Sequence, residues 1–146
     1  MNVEKIIKEY EETIFCRSNR KPFDISTKWA KHITEKASIY AFFEKGKIVY
    51  VGESGSLKAR MRDVRRTVNH TLRRNIGVKL FSHIKGYEKA TSKQKFPEHI
   101  EQKVNEYMET LHVVVVPILF GRTEIEEYLV YKHKPKFNTK TKRAGA

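Results

Sequence analysis

Two short apolar runs, SIYAFF at 38–43 and KIVYV at 47–51, meet at the residues EKGK. Both are rich in β-branched and aromatic side chains, and a glycine lies between them, so the spacing predicts a β-hairpin. Apolar groups occupy both faces of each run, which a sheet with one wet face would not tolerate. Helices must therefore cover this sheet on both sides.

The rest of the chain supplies them. Val3, Ile6, Ile7, Tyr10 and Ile14 recur at helical spacing and predict a helix over 3–14, which CRSNRKPFD breaks. Ile25, Trp29 and Ile33 predict a second, short helix. Ser56 can cap a helix whose Leu57, Met61, Val64 and Val68 form the buried stripe, leaving Arg60, Arg62, Arg65 and Arg66 on its other faces. A short helix and a polar loop follow up to Pro97, which introduces a helix carrying Ile100, Val104 and Met108. LHVVVVPIL reads as a third strand ending by Gly121, and Thr123 starts a last helix through His133, stopped by Pro135. The expected fold is α+β, one domain with a small central antiparallel three-stranded sheet, the hairpin plus the third strand, flanked by helices. Residues 1–36 form a helical amino-terminal extension, 37–138 the core and 139–146 a basic tail.

Thirty Lys and Arg against 17 Asp and Glu give a net charge of +13. That much uncompensated cation points to a polyanionic partner, nucleic acid first. The single cysteine, Cys16, can form no internal disulfide and no zinc site, which suits a reducing, cytoplasmic setting. No run has the length of a membrane span, and the charged start MNVEKIIKEYEE lacks the apolar stretch of a signal peptide.

SIY, YVG, an arginine ten residues after the second tyrosine and a late TEIEEYLVYKHKPKFN together resemble the GIY-YIG nuclease family. The resemblance covers residues 37–138 and implies a metal-dependent endonuclease acting on double-stranded DNA. It maps the family's site onto Tyr40, Tyr50, Arg60, Glu126 and Asn138. Of the neighbouring carboxylates Glu124, Glu126 and Glu127, only Glu126 sets Leu129, Val130, Pro135 and Asn138 at the family's offsets. Two departures stand out: Ser38 replaces the glycine of the family name, and Val64 occupies the place one helical turn after the arginine where relatives carry a histidine or tyrosine. His70 is a candidate substitute in proton transfer.

The chemistry assigns parts to these groups. A carboxylate at Glu126 can hold Mg²⁺ or Mn²⁺, since Mg²⁺ takes one or two carboxylates and completes its shell with water and phosphate. Arg60 can clamp the scissile phosphate with its planar fork. Tyr40 is a candidate general base or water-orienting group and Tyr50 a second hydroxyl beside it, although burial alone would push a phenol the wrong way. Asn138 is expected to position its loop. Arg62, Arg65, Arg66, Arg73, Arg74, Lys136 and Lys140 are expected phosphate contacts. Each residue also has a bland reading: core aromatics for the tyrosines, a solvated face for the arginines, and for Glu126 a capping box with Thr123.

Because the length leaves no room for a separate recognition domain, the resemblance points most to a stand-alone restriction endonuclease. Recognition would then come from the amino-terminal extension, the segment 70–110 and the tail, and a homodimer would cut both strands. The alternatives are a repair, phage-type degradative or structure-selective nuclease, or a DNA-binding module that has lost catalysis.

Overall fold

The structure is a computed structural model, and it describes residues 2–26 and 35–138. Helix α1 spans Val3–Phe15 and opens on Asn2, whose side chain accepts from the Lys5 N–H at 3.2 Å. A 3₁₀ turn at Arg17–Asn19 leads to the short strand β1, Lys21–Pro22. The hairpin follows as β2, Ser38–Glu44, and β3, Lys47–Ser54. Its two-residue turn has both φ positive, 48° at Lys45 and 82° at Gly46, which is the turn that matches the twist of paired strands. Then come α2 (Leu57–Asp63), a 3₁₀ turn at Thr67–Asn69, α3 (Thr71–Phe81), α4 (Glu98–Met108), β4 (His112–Pro117) and α5 (Arg122–His133). Most of the segment of Ile25, Trp29 and Ile33, the basis for a second helix, lies outside the described residues.

The sheet is antiparallel in the order β1-β4-β2-β3. It has four strands rather than the expected three. The addition is β1, where Lys21 and Pro22 pair with Val113 and His112 on the free edge of β4. A lysine followed by a proline carries no strand signature, and an edge is where a sheet accepts a proline.

Helices cover both faces, as the hairpin demands. Tyr40, Phe42, Val49 and Tyr50 share one core with Leu57 and Met61 of α2, Leu72 and Ile76 of α3, and Ile100, Val104 and Met108 of α4. Ile39, Ala41, Phe43, Ile48 and Val51 share the other with Ile14 of α1 and Ile125 and Leu129 of α5. Strict alternation would not put the neighbours Val49 and Tyr50 in one core. The register shifts between Phe42 and Phe43, which pair with Tyr50 and Ile48, so Val49 is the extra residue of a bulge. This irregularity aims Tyr50 to the same side as Tyr40.

The outer edge of β3 is closed by the segment after α5. The Phe137 N–H donates to the Val49 carbonyl at 3.0 Å, and the Asn138 amide accepts from the Val51 N–H at 3.0 Å while donating to the Val51 carbonyl at 2.8 Å. Asn75 of α3 holds this strap from the other side, donating to the Phe137 carbonyl at 2.7 Å. An open strand edge invites pairing with another chain, and the side-chain amide satisfies it as a backbone would.

Three helix expectations need correction. The stripe Leu57, Met61, Val64 and Val68 does not lie on one helix: α2 ends at Asp63, Val64 is its cap, and Val68 belongs to the 3₁₀ turn. Ser56 is the N-cap of α2, yet its side chain makes no capping bond; instead the Ser54 hydroxyl accepts from the Ser56 N–H at 3.1 Å. Helix α5 begins on Gly121, not Thr123.

Candidate active site

Tyr40 stands two residues inside the end of β2 and is almost fully buried. Its ring crosses the neighbouring strand over Gly52, its register partner. A Cβ built at Gly52 would overlap the Tyr40 ring and hydroxyl, so glycine is what lets the phenol lie there. Tyr50 packs beside it with ring centroids 6.2 Å apart.

His70 meets both rings. Its Nε2 lies 2.9 Å from the Tyr40 Oη, and its Nδ1 accepts the Leu72 N–H at 3.1 Å, so the imidazole is the N-cap of α3. A backbone N–H can only donate, so Nδ1 carries no proton in the neutral ring. The proton sits on Nε2 and is given to the Tyr40 oxygen. The phenol's own proton is then turned away from His70.

Arg60 reaches the site from α2. It is held by a bond from Nη1 to the Asn69 carbonyl at 3.1 Å and lies 3.7 Å from Asp63. Burial pushes the Tyr40 phenol well above its ordinary range; Tyr50 and Glu126 push in the same direction, while the Arg60 charge and a hydrogen bond from it pull back. Tyr50 is pushed up to about 12 by burial, with Glu126 adding and Arg60, Tyr40 and Arg74 opposing. Burial lowers Arg60, but its two phenol neighbours and Asp63 outweigh that and raise it. The guanidinium is charged, and the phenols are neutral around pH 7.

Glu126 arrives from the opposite face on α5 and is 7% exposed. Its charge acts on both Tyr40 and Tyr50, so the carboxylate belongs to the same electrostatic unit. The capping-box reading fails here. With Gly121 as the N-cap, Thr123 is the second helical residue, and the reciprocal pair would need the glutamate at position 124.

The structure thus brings Tyr40, Tyr50, Arg60, His70 and Glu126 together and sets Asn138 as the clamp on β3 beside them. The arginines expected on a DNA face divide. Arg62, Arg65 and Arg66 are exposed. Arg73 is not: only 1% exposed, it pairs with Glu101 at 2.8 Å and bonds the Thr67 hydroxyl at 3.1 Å, and Glu101 in turn accepts from Thr67 and from the Phe96 N–H. A basic run in sequence does not reveal which arginine has a buried acid 28 residues away. Arg74 is part-buried, donates to the carbonyls of Thr67 and Val68, and acts on Tyr50 and Arg60, so it stands at the wall of the site. Its place four residues after His70 on one helix is the signal that could have assigned it there. Lys136 is exposed and paired with Glu44 at 3.0 Å, and Lys140 lies outside the described residues. Val64 is buried core with no polar role.

The GIY-YIG catalytic domain family matches residues 14–144, most of the chain. The chain belongs to this family. Its GIY-YIG domain is similar in fold to the GIY-YIG N-terminal endonuclease domain of UvrC from Thermotoga maritima. A magnesium-bound form of that domain is 20% identical with a TM-score of 0.42, covering 77% of this chain and 93% of the other. A point mutant of it bound to the catalytic divalent cation is 18% identical with a TM-score of 0.43 and the same coverage. No curated protein gives a significant match. The family match makes the chain a GIY-YIG catalytic domain, and among its described residues no helix is long and apolar enough to cross a membrane.

Proposed function

We infer that the protein is a Mg²⁺-dependent endodeoxyribonuclease, a sequence-specific restriction enzyme that works in the cytoplasm as a homodimer. The observation that carries the nuclease reading is the convergence of two phenols, a guanidinium, an imidazole and a carboxylate from five elements on one buried site in a chain of net charge +13. Phosphodiester hydrolysis needs activated water, compensation for charge growing on the phosphate, and help for the leaving oxygen. Arg60 clamps the scissile phosphate. Tyr40 orients the attacking water and, in its phenolate form, takes the water's proton to become the neutral phenol; His70 steadies that phenolate beforehand by donating from Nε2.

Among the described residues no three His, Cys, Asp or Glu side chains form a metal cluster. That fits a cation held by the single carboxylate of Glu126 and otherwise by water and substrate, as Mg²⁺ accepts. When bound, the cation offsets the phosphate charge and favours the ionised forms around it. One site cuts one strand, so a double-strand cut at a defined place calls for two copies. The loop between α3 and α4 presents Lys85, Lys89, Lys93 and Lys95 at the surface, where they can hold the duplex by its phosphates.

The test is digestion of genomic DNA with Mg²⁺ followed by sequencing of the ends. Fragments ending at one recurring sequence are expected. Random ends or accumulated nicks would replace the restriction reading with a degradative or repair one, and DNA left whole at every metal tried would remove the nuclease reading.

The site also predicts a pH profile. A base whose proton is held too tightly limits the rate, so kcat/KM should rise about tenfold per pH unit from neutral into the alkaline range. His70→Asn keeps an N-cap for α3 but removes the Nε2 donor. Losing a donor to the charged form raises the phenol further, so this variant should cut about tenfold more slowly, with its profile displaced to higher pH. An unchanged profile with lowered thermal stability would mean that His70 serves only the helix.

A further inference from the structure

Leu119 and Phe120 are 92% and 55% exposed, the only consecutive pair among the large exposed apolar side chains of the described residues. They form the tip of the turn between β4 and α5. This turn is anchored on both sides. Before the pair, the Ile118 N–H donates to the Ala37 carbonyl at 3.0 Å; after it, Gly121 turns at φ 80° and Arg122 pairs with Glu53 of β3 at 2.6 Å. The projection is built, and no core explains it.

Its position follows from the register. Ser38 pairs with both Pro117 and Ser54, so the end of β4, the start of β2 and the end of β3 lie in a row at one end of the sheet. Tyr40 is two residues in from that end, about 7 Å along the strand. The turn lies between the helix that carries Glu126 and the Gly55–Ser56 link into the helix that carries Arg60, with the Arg122 guanidinium beside Gly55.

We propose that Leu119 and Phe120 are a wedge that enters the bases of the DNA next to the scissile phosphate. This rests on the reading of the adjoining site as a DNA-cutting one. A duplex held by its phosphate at Arg60 would lie near this end of the sheet, where the Gly55–Ser56 link beside Arg122 runs into the Arg60 helix. A leucine and a phenylalanine have nothing to offer phosphates, and the apolar part of DNA is the faces of its bases, reached when a base step is parted. The cost of parting depends on the step, so the wedge contributes to the choice of sequence without a hydrogen bond to any base.

The test separates the wedge from catalysis. Relaxed closed-circular plasmid is saturated with protein in EDTA, treated with topoisomerase I and stripped of protein. Wild-type protein should shift the topoisomers, because parting a step unwinds the duplex. Leu119→Ser/Phe120→Ser should bind the plasmid and give no shift, and Leu119→Trp/Phe120→Trp, which keeps apolar bulk, should retain one. With Mg²⁺, the serine variant should cut paired DNA about tenfold more slowly, yet cut a duplex mismatched at the mapped cut step within about twofold of wild type. Equal shifts for wild type and the serine variant, or none for bound wild type, overturn the wedge even if Mg²⁺-dependent cutting is intact. A serine variant that changes the oligomeric state of the free protein and slows both substrates alike also overturns it, by assigning the pair to a second copy of the chain. Failure of the nuclease reading would show separately, as plasmid left whole in Mg²⁺.

Discussion

Glu126→Gln should lower DNA cutting by about a thousandfold while leaving the affinity for DNA in EDTA nearly unchanged, as expected for a group acting on transition-state charge. The substitution keeps size and shape in a nearly buried place on α5, so the fold should survive. What changes is the charge. On the reading that Glu126 holds the cation, the ion would lose this carboxylate ligand, and the two phenols lose the neighbour that raises them. The measurement is a plasmid-cutting time course beside a gel-shift titration and a melting curve. Wild-type cutting by a well-folded Glu126→Gln protein would remove Glu126 from the site, whereas loss of DNA binding in step with activity would make it a binding residue.

Gly52→Ala should also lower cutting strongly, although the residue has no functional group. Its new Cβ would fall on the Tyr40 ring and hydroxyl, and that ring is enclosed by Phe42, Tyr50 and His70 with nowhere to withdraw. Overpacking of this kind costs about 1–3 kcal/mol. Here it would also displace the Tyr40 oxygen from its 2.9 Å bond to His70, so cutting should fall about a hundredfold. Differential scanning calorimetry and single-turnover cutting read the two effects separately. Full activity in a destabilised protein would show that the Tyr40–His70 contact is dispensable.

The hairpin was legible because β propensity, apolar groups on both faces and a glycine turn agree within one short stretch. The elements around it were legible for the same local reason. What escaped depended on distance in the chain. The short strand at Lys21–Pro22 exists only because β4 offers it an edge, and the burial of Arg73 is set by Glu101 on another helix. The helix after Ser56 looked long because its apolar spacing continues past the point where the chain turns. In the site, the residues on the hairpin and its following helix can be found from spacing, and Glu126 from its offsets to Asn138. The pairing of His70 with Tyr40 could not, since 30 residues and a 3₁₀ turn separate them.

The central strand β2 pairs on one side with a neighbour two residues away and on the other with β4, whose Pro117 meets Ser38. The hairpin can form early and locally, whereas the second pairing must close a loop of many tens of residues and is the slower step. Tyr40, Tyr50, Arg60 and His70 all precede that closure in the chain, and Glu126 follows it. A nascent chain therefore holds its phenols and guanidinium for some time without the carboxylate. On the nuclease reading, the site stays incomplete until β4 has paired and α5 has brought Glu126 to it.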